Sequence, residues 1–308
     1  MADASVGYIG VDIGGTNLRG ALVGHDGVIF ERFRLKSAIH EGAEAFLQRL
    51  CDEVSGLLHA ATSRHVQIEG IGVGIPGLIG ADGMVHSSVN LRALEGTNLA
   101  QRLSHQLELP VAAANDANLI ALGEAVGGAG QGMRSLVVVT IGTGLGSGLI
   151  LDGRLWTGSG GFAAEFGHLT VDPEGLPCPC GNRGCLEQYV SAAALSRFGQ
   201  GRSPEELARR AWAGDPEATA AFETLGYWLG TALAGLLNTL NLDGVVVGGG
   251  VSGGFELFAP ALQRTLQQRA FRQIVRQVVV AKAALGDDAG LVGAARLAAE
   301  RAGSEKFC

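Results

Sequence analysis

A glycine-turn hairpin stands twice in this chain, and the repeat limits the fold more than any other feature. The first copy, YIGVDIGGTNLRGALVGHDGVIFERFRLK, reads as three antiparallel strands, Tyr8–Asp12, Leu18–Val23 and Val28–Leu35. Apolar, β-branched runs alternate there with Gly turns. The second copy, VVVTIGTGLGSGLILDGRLWTG, has the same strand, glycine turn, strand, turn, strand layout. A shift of 128 positions pairs Asp12 with Thr140, Ile13 with Ile141, Gly14 with Gly142 and Gly20 with Gly148. Each copy opens a half that continues into helices and buried strands. In the first half EGAEAFLQRLCDEVSGLLHAATSR has helical apolar spacing, VQIEGIGVGIPG is a strand ending in a tight turn, and NLAQRLSHQLEL is a second helix. PVAAAND then reads as a short buried strand leading into the helix ANLIALGEAV. In the second half a helical region, roughly Ser203–Leu240, precedes the strands DGVVVGGG and QVVVAKAAL and a final helix over about Leu291–Ala302.

Two such halves predict a duplicated α/β fold of two domains, residues 1–114 with 291–308 and residues 115–290. Each domain is expected to be a mixed five-stranded sheet with helices on both faces. Ligands are expected in an interdomain cleft, at the strand ends where the glycine turns converge.

The length of 308 residues suits two packed domains. Glycine, at 49 residues, is about twice its usual share. It gathers after apolar runs, where it marks tight turns and close backbone approach. The net charge is −7 and no Lys/Arg run occurs, which argues against a nucleic acid or an anionic membrane as partner. The first residues lack the basic start and long apolar region of a signal peptide. The uncharged stretch SLVVVTIGTGLGSGLIL reads as two strands and a turn, too short and too glycine-rich for a membrane span. The expected compartment is the cytoplasm, where five cysteines point to metal or free thiols before disulfides.

Several short motifs carry chemistry. DIGGT, Asp12–Thr16, follows a buried strand. Gly14 and Gly15 free backbone N–H groups to approach phosphate oxygens, Asp12 is a candidate for holding a hydrated Mg²⁺, and Thr16 or Asn17 for donating to phosphate. Taken alone this turn is equally an ordinary glycine hairpin. The second turn, Gly142–Gly146, strengthens the phosphate reading, and neither turn follows the Walker or Rossmann pattern. VVVGGGVSGG, Val245–Gly254, either lets an adenosine lie flat against backbone or is a strand–helix junction that needs glycine for packing.

AAANDAN sets Asn115 and Asp116 at a strand end and a helix start. One reading is a helix N-cap. The other makes Asp116 a general base for a sugar hydroxyl, a role that contributes roughly 10²–10⁴ in rate. Glu165 and His168 in AEFGH, with Glu187 in CLEQY, flank a cysteine segment closely enough to share a site. That segment supplies Cys178, Cys180 and Cys185, and His168 stands ten residues before the first of them. A Cys₃His zinc site uses all four ligands, and three free thiols are the alternative. With no open coordination position such a zinc is structural, fixing Glu165 and Glu187 around a substrate. Cys51 reads as core, Cys308 as a frayed terminus, and the six other histidines as structural or surface residues.

Together these residues resemble the ROK family of sugar kinases, repressors and open reading frames. The resemblance runs from GVDIGGTNLRGALV through GVGIPG, NDAN, TIGTGLGSG, EFGH and CPCGNRGCLEQY to VVVGGGVS. It implies a two-domain actin-like (ribonuclease H-like) ATPase fold with ATP and sugar in the cleft. It sets Asp12, Gly14, Gly15 and Thr16, and Thr140, Gly142, Thr143 and Gly144, at the ATP phosphates. Gly249 and Gly250 fall near the adenosine, and Gly74, Pro76 and Gly77 shape the sugar pocket. Asn90, Asn115, Asp116, Glu165, His168 and Glu187 bind sugar hydroxyls, with Asp116 as the base. His168, Cys178, Cys180 and Cys185 bind Zn²⁺.

GHLTVDPEG followed by the cysteine loop looks closest to the glucokinase members. The implied reaction moves the γ-phosphate of ATP, as its Mg²⁺ complex, to the 6-hydroxyl of glucose. A kinase for N-acetylmannosamine, N-acetylglucosamine, fructose or allose is the nearest alternative, and a sugar sensor without catalysis the more distant one. The family implies a homodimer. Its repressors carry an N-terminal helix-turn-helix, for which a first strand near Tyr8 leaves no room. Arg92 and Leu94 stand where relatives often carry Pro and Trp, and Ala164 where Gly often precedes the Glu. These departures bear on which sugar is bound more than on the reaction.

Overall fold

A computed structural model describes residues 5–88, 90–303 and 307. The chain begins with the hairpin strands β1 (Ser5–Ile13), β2 (Asn17–Gly24) and β3 (Ile29–Lys36), followed by α1 (Ala43–Ser63) and β4 (Val66–Ile75). A short pair, β5 (Leu78–Ile79) and β6 (Val85–Ser87), leads to α2 (Leu99–Leu107), β7 (Val111–Asn115) and α3 (Asp116–Gly127). The second hairpin is β8 (Leu136–Ile141), β9 (Leu145–Leu151) and β10 (Arg154–Leu155). After it come α4 (Ala192–Phe198), α5 (Pro204–Trp212), α6 (Pro216–Leu240), β11 (Gly244–Gly248), α7 (Phe255–Arg269), α8 (Arg272–Val275), β12 (Val279–Lys282) and α9 (Ala289–Arg301).

The two large sheets have the same plan. One runs β3-β2-β1-β4-β7 and the other β10-β9-β8-β11-β12. In the first, β2 lies antiparallel to β1 and β3, whereas β4 is parallel to both β1 and β7. In the second, β10 and β9 are antiparallel, and β11 is parallel to β8 and β12. This is the duplicated α/β architecture of mixed five-stranded sheets that the repeated hairpin predicts.

The chain divides into two compact units, Met1–Gly132, Gly148–Ala164 and Ala284–Cys308 in one, Met133–Ser147 and Glu165–Ala283 in the other. The division by repeat, at 114/115 and 290/291, differs from this division by compactness. The reason is packing. α3 lies so close along α9 that a Cβ on Gly293 would stand 1.8 Å from the Leu119 carbonyl oxygen, and one on Gly123 2.0 Å from that of Ala289. Both helices therefore belong to the first unit.

The first unit buries both faces of its sheet, as a sheet with helices on each side must. Ile9, Val11 and Ile13 of β1 join Leu50, Val54 and Leu57 of α1 in one core. Tyr8, from the opposite face, packs with Leu291, Ala295 and Phe307. α9 approaches that face backbone to backbone: a Cβ would lie 2.0 Å from the Leu291 oxygen at Gly10 and 1.8 Å from the Ala294 oxygen at Gly72. Part of the glycine excess is thus the condition for this contact.

In the second unit the single helical region expected over Ser203–Leu240 is two helices. Gly214, at φ 86°, ends α5, and the Asp215 side chain caps α6 by accepting from the Glu217 and Ala218 N–H groups. α6 then crosses α7 at two glycines. A Cβ on Gly226 would meet the Phe258 oxygen at 2.4 Å, and one on Gly230 would meet Thr265 Cβ at 2.7 Å. Among the described residues, no helix is long and apolar enough to cross a membrane.

Candidate active site and metal centre

Strand register aligns the candidate residues of the first unit. Asp12 of β1 pairs with Gly74 of β4, and Gly74 pairs with Ala114 of β7. These strands are parallel, so their C-terminal ends form one edge. Beyond that edge come the turn Gly14–Thr16, Pro76 and Gly77, and Asn115 and Asp116. Gly14 N–H donates to the Asn17 oxygen at 2.8 Å, which closes the turn and leaves Gly15 and Thr16 exposed and Asn17 half-buried. A Cβ on Gly15 would come within 3.0 Å of Asn90 Cβ, so the turn and the exposed Asn90 are neighbours. Gly77, at φ 126°, leaves no room for a side chain, because a Cβ would stand 2.1 Å from the Ser87 oxygen.

Asp12 is only 9% exposed. Its Oδ2 accepts from Arg19 Nη2 at 2.6 Å and from Arg19 Nε at 3.1 Å. Burial pushes the Asp12 carboxyl up, against the pull of Arg19. Arg19 in turn meets Asp287 at 3.1 Å. Arg19 belongs to no chemical motif in the sequence. The signal was the hairpin register, since Asp12 and Arg19 face each other across β1 and β2.

Asn115 and Asp116 stand at the start of α3. Asn115 is the N-cap: its Oδ1 accepts from Asn118 N–H at 3.1 Å, and its Nδ2 donates to the Gly77 oxygen at 3.0 Å. Asp116, half-buried, is the first helical residue, and its Oδ1 accepts from Ala117 N–H at 2.9 Å.

In the second unit Thr140, next to the end of β8, pairs with Gly248 of β11, so the turn Gly142–Gly144 and the glycines Gly249 and Gly250 leave the same strand ends. Gly142 N–H donates to the Gly144 oxygen at 2.9 Å, and Thr143 is exposed. Gly249 adopts φ 82°, and a Cβ there would lie 2.4 Å from the Ile141 oxygen. Glu187 reaches this turn: its Oε2 accepts from Leu145 N–H at 2.9 Å. Glu165 precedes a single 3-10 turn, Phe166–His168, that is pinned by Phe166 N–H donating to the buried Ser147 Oγ at 3.3 Å. Partial burial raises the Glu165 carboxyl, His168 pulls it down and Glu187 pushes it up again. Glu165, His168 and Glu187 thus lie within electrostatic reach of one another. Ser147 was not singled out in the sequence; a lone serine in a strand gives no signal.

The four metal-ligand candidates converge. One ligand atom each from His168, Cys178, Cys180 and Cys185 all lie within 4.8 Å of one another. His168 Nδ1 is 3.8 Å from Cys178 Sγ, and Cys180 Sγ is 3.6 Å from Cys185 Sγ. Zn–S bonds of about 2.3 Å in a tetrahedron give ligand-to-ligand edges of about 3.8 Å. The residues therefore fit a zinc ion. Thiol chemistry agrees: burial and the two neighbouring thiols push Cys185 up to about 12, a crowding that a dication relieves by binding thiolates. A stiff loop holds the set. Cys178 N–H donates to the Asn182 oxygen at 2.8 Å, and Gly184, at φ 68°, would put a Cβ 1.6 Å from the Asp172 oxygen. Tyr189 OH donates to Asp172 Oδ2 at 3.0 Å and braces the loop from outside. Cys51 lies in the core, as expected, and Cys308 is outside the described residues.

Known proteins resemble this chain over nearly its whole length. The chain is 32% identical to a glucokinase of Halalkalibacterium halodurans over 307 residues, 93% of each chain. It is 34% identical over 271 residues to the N-acetylgalactosamine kinase AgaK of a Shewanella species, covering 84% of this chain and 86% of that one. Among solved structures it resembles a ROK family glucokinase from Streptomyces griseus in complex with glucose and AMPPNP. There the TM-score is 0.77 and the identity 34%, over 96% of this chain and 99% of that one. The sequence pattern of the ROK family matches residues 8–301, and the chain belongs to that family.

Proposed function

We propose that this protein is an ATP-dependent glucokinase in which Asp116 takes the proton of the glucose 6-hydroxyl as that oxygen attacks the γ-phosphorus of ATP. The observation that carries the reading is the row Asp12, Gly74, Ala114 in register, with Asp116 directly past its end at the start of α3. In open α/β sheets, ligands sit at the carboxyl ends of the strands. The glucokinase relatives, one with glucose and AMPPNP bound, favour glucose and ATP.

The step balances simply. The 6-oxygen gives its proton to the Asp116 carboxylate and forms the new O–P bond. The bond from the γ-phosphorus to the bridging oxygen breaks, and ADP departs. A positioned base contributes about 10²–10⁴ to such a transfer. Most of the rest is positioning and charge stabilisation. In this reading the N–H groups at Gly14, Gly15, Gly142 and Gly144, with Thr16, Asn17, Thr140 and Thr143, hold phosphate oxygens. Asp12 orients the Mg²⁺ that accompanies ATP and offsets phosphate charge. Gly249 and Gly250 leave room for the adenosine. Gly74, Pro76 and Gly77 shape the sugar pocket, and Asn90, Asn115, Glu165, His168 and Glu187 bind sugar hydroxyls. Cys178, Cys180, Cys185 and His168 hold a structural zinc, which keeps Glu165 and Glu187 in place.

A coupled assay with ATP and a panel of hexoses tests this. Glucose is expected to have the highest kcat/KM. The relative named as an N-acetylgalactosamine kinase makes an acetamido sugar the second reading. If an acetamido sugar turns over far faster than glucose, the sugar assignment fails and the kinase reading stands. If no sugar is phosphorylated, the kinase reading fails.

A further inference from the structure

In the first unit a chain of charges runs back from Asp12 to residues that the proposed reaction does not use. Asp12 closes β1 at the glycine turn and is 9% exposed. Both hydrogen bonds from Arg19, at 2.6 and 3.1 Å, go to the same oxygen, Oδ2. The other end of the guanidinium, Nη1, meets Asp287 Oδ1 at 3.1 Å. Asp287 lies in a short 3-10 turn, Gly286–Asp288, just before α9. That turn is held from its N-terminal side by Glu124, which is fully buried. The Glu124 carboxylate accepts from Leu285 N–H at 2.8 Å, Ala284 N–H at 3.0 Å and Ala129 N–H at 2.9 Å. Glu124 lies two turns along α3 from Asp116.

The electrostatic consequence is direct. A buried carboxylate at the mouth of a turn that receives a polyphosphate repels it unless a cation compensates. Arg19 is that cation. It pairs with Asp12 from the neighbouring strand β2, and Asp287 holds its far end. Two N–H groups on one oxygen also fix the carboxylate plane and so the direction of Oδ1.

We propose that Arg19 is a positioning residue for nucleotide binding: it compensates and orients Asp12 at the phosphate turn, and Asp287 holds it there on a segment anchored by Glu124. The inference rests on the reading of this turn as the ATP site. It adds that the nucleotide side of the reaction is tuned by a residue that touches neither substrate.

The test compares wild type with Arg19→Met, Arg19→Lys and Asp287→Asn, measuring KM for ATP, KM for glucose, kcat, and binding of a non-hydrolysable ATP analogue by calorimetry. Removing one partner of a buried pair leaves the other uncompensated. Arg19→Met is expected to weaken analogue binding and raise the ATP KM about ten- to a hundredfold. The glucose KM stays within about twofold of wild type. Arg19→Lys recovers part of the loss, since an ammonium supplies the charge without the two-pronged geometry. Asp287 is 74% exposed at its side chain, so Asp287→Asn is expected to fold normally and to show a smaller shift in the same direction. Wild-type analogue affinity in both Arg19→Met and Asp287→Asn overturns the proposal. So does an equal loss on the glucose and ATP sides in Asp287→Asn. A wild-type protein that binds no ATP analogue instead overturns the kinase reading on which this rests.

Discussion

Gly144 and Glu187 are in a contact that a side chain on the glycine would displace. A Cβ on Gly144 would lie 2.4 Å from Glu187 Oε2, the oxygen that accepts from Leu145 N–H at 2.9 Å. Gly144→Ala must therefore displace the carboxylate and break that bond. The displaced atoms are the flexible end of Glu187, so the cost falls on that hydrogen bond, about 0.5–1.5 kcal/mol, more than on packing. The expected result is a folded protein whose kcat/KM for sugar falls at least about tenfold, because small misplacements of binding groups are costly in rate. Steady-state kinetics beside a thermal melt check it; unchanged kinetics would remove Glu187 from the sugar site.

Ala164 adopts φ 69°, where a Cβ is crowded and glycine is favoured. This is the position at which the resemblance noted in the sequence leads one to expect Gly before the Glu. An L-residue in the left-handed region loses roughly 1–2 kcal/mol, and glycine gives back about 0.5–1 kcal/mol through chain entropy. Ala164→Gly is thus expected to be stabilising by up to about 1 kcal/mol. A urea midpoint below that of wild type would contradict the strain argument.

The Cys₃His cluster predicts about one zinc per chain in protein purified without chelator, since the thiol and imidazole spacings match a tetrahedral ion. Stripping the metal should lower the melting temperature and the sugar affinity together, because the same loop carries Glu187 and His168. Cys178→Ser, at a buried ligand, is expected to reproduce both effects. Elemental analysis with no zinc in active protein would refute the assignment.

Asp215 caps α6 and accepts from Arg210 Nε at 2.6 Å. The Arg210 hydrogen bond holds its carboxyl below the usual range, helped by the Ala218 N–H. The sign follows. A carboxyl depressed in the folded state adds stability above its unfolded value, near 3.9, and loses it as pH falls through the lower folded value. Asp215→Asn should therefore lower the melting temperature at neutral pH and converge with wild type in strong acid. Parallel curves down to pH 2 would contradict it.

Much of this architecture was legible because it rests on periodic signals. The repeated hairpin gave both sheets, and the His-to-Cys spacing gave the cluster that the fold closes to within 4.8 Å. What was hidden depends on contacts between distant residues. Arg19 gains its meaning from antiparallel register with Asp12 and from Asp287, far along the chain. The union of α3 with α9 rests on Gly123 and Gly293, and two isolated glycines in helices carry no pattern that announces an interface. Ser147 and Tyr189 support the site through hydrogen bonds to distant parts of the chain, which leave no trace in spacing.

The central claim is that Asp116, at the first position of α3, takes the acceptor proton. Replacing Asp116 by Asn keeps shape and N-terminal hydrogen bonding but removes the base. The direct measurement is kcat of Asp116→Asn with saturating glucose and ATP, beside its glucose affinity by calorimetry. The account predicts a kcat lowered by about 10²–10⁴ with glucose binding within a few-fold of wild type. A kcat within about threefold of wild type would contradict it.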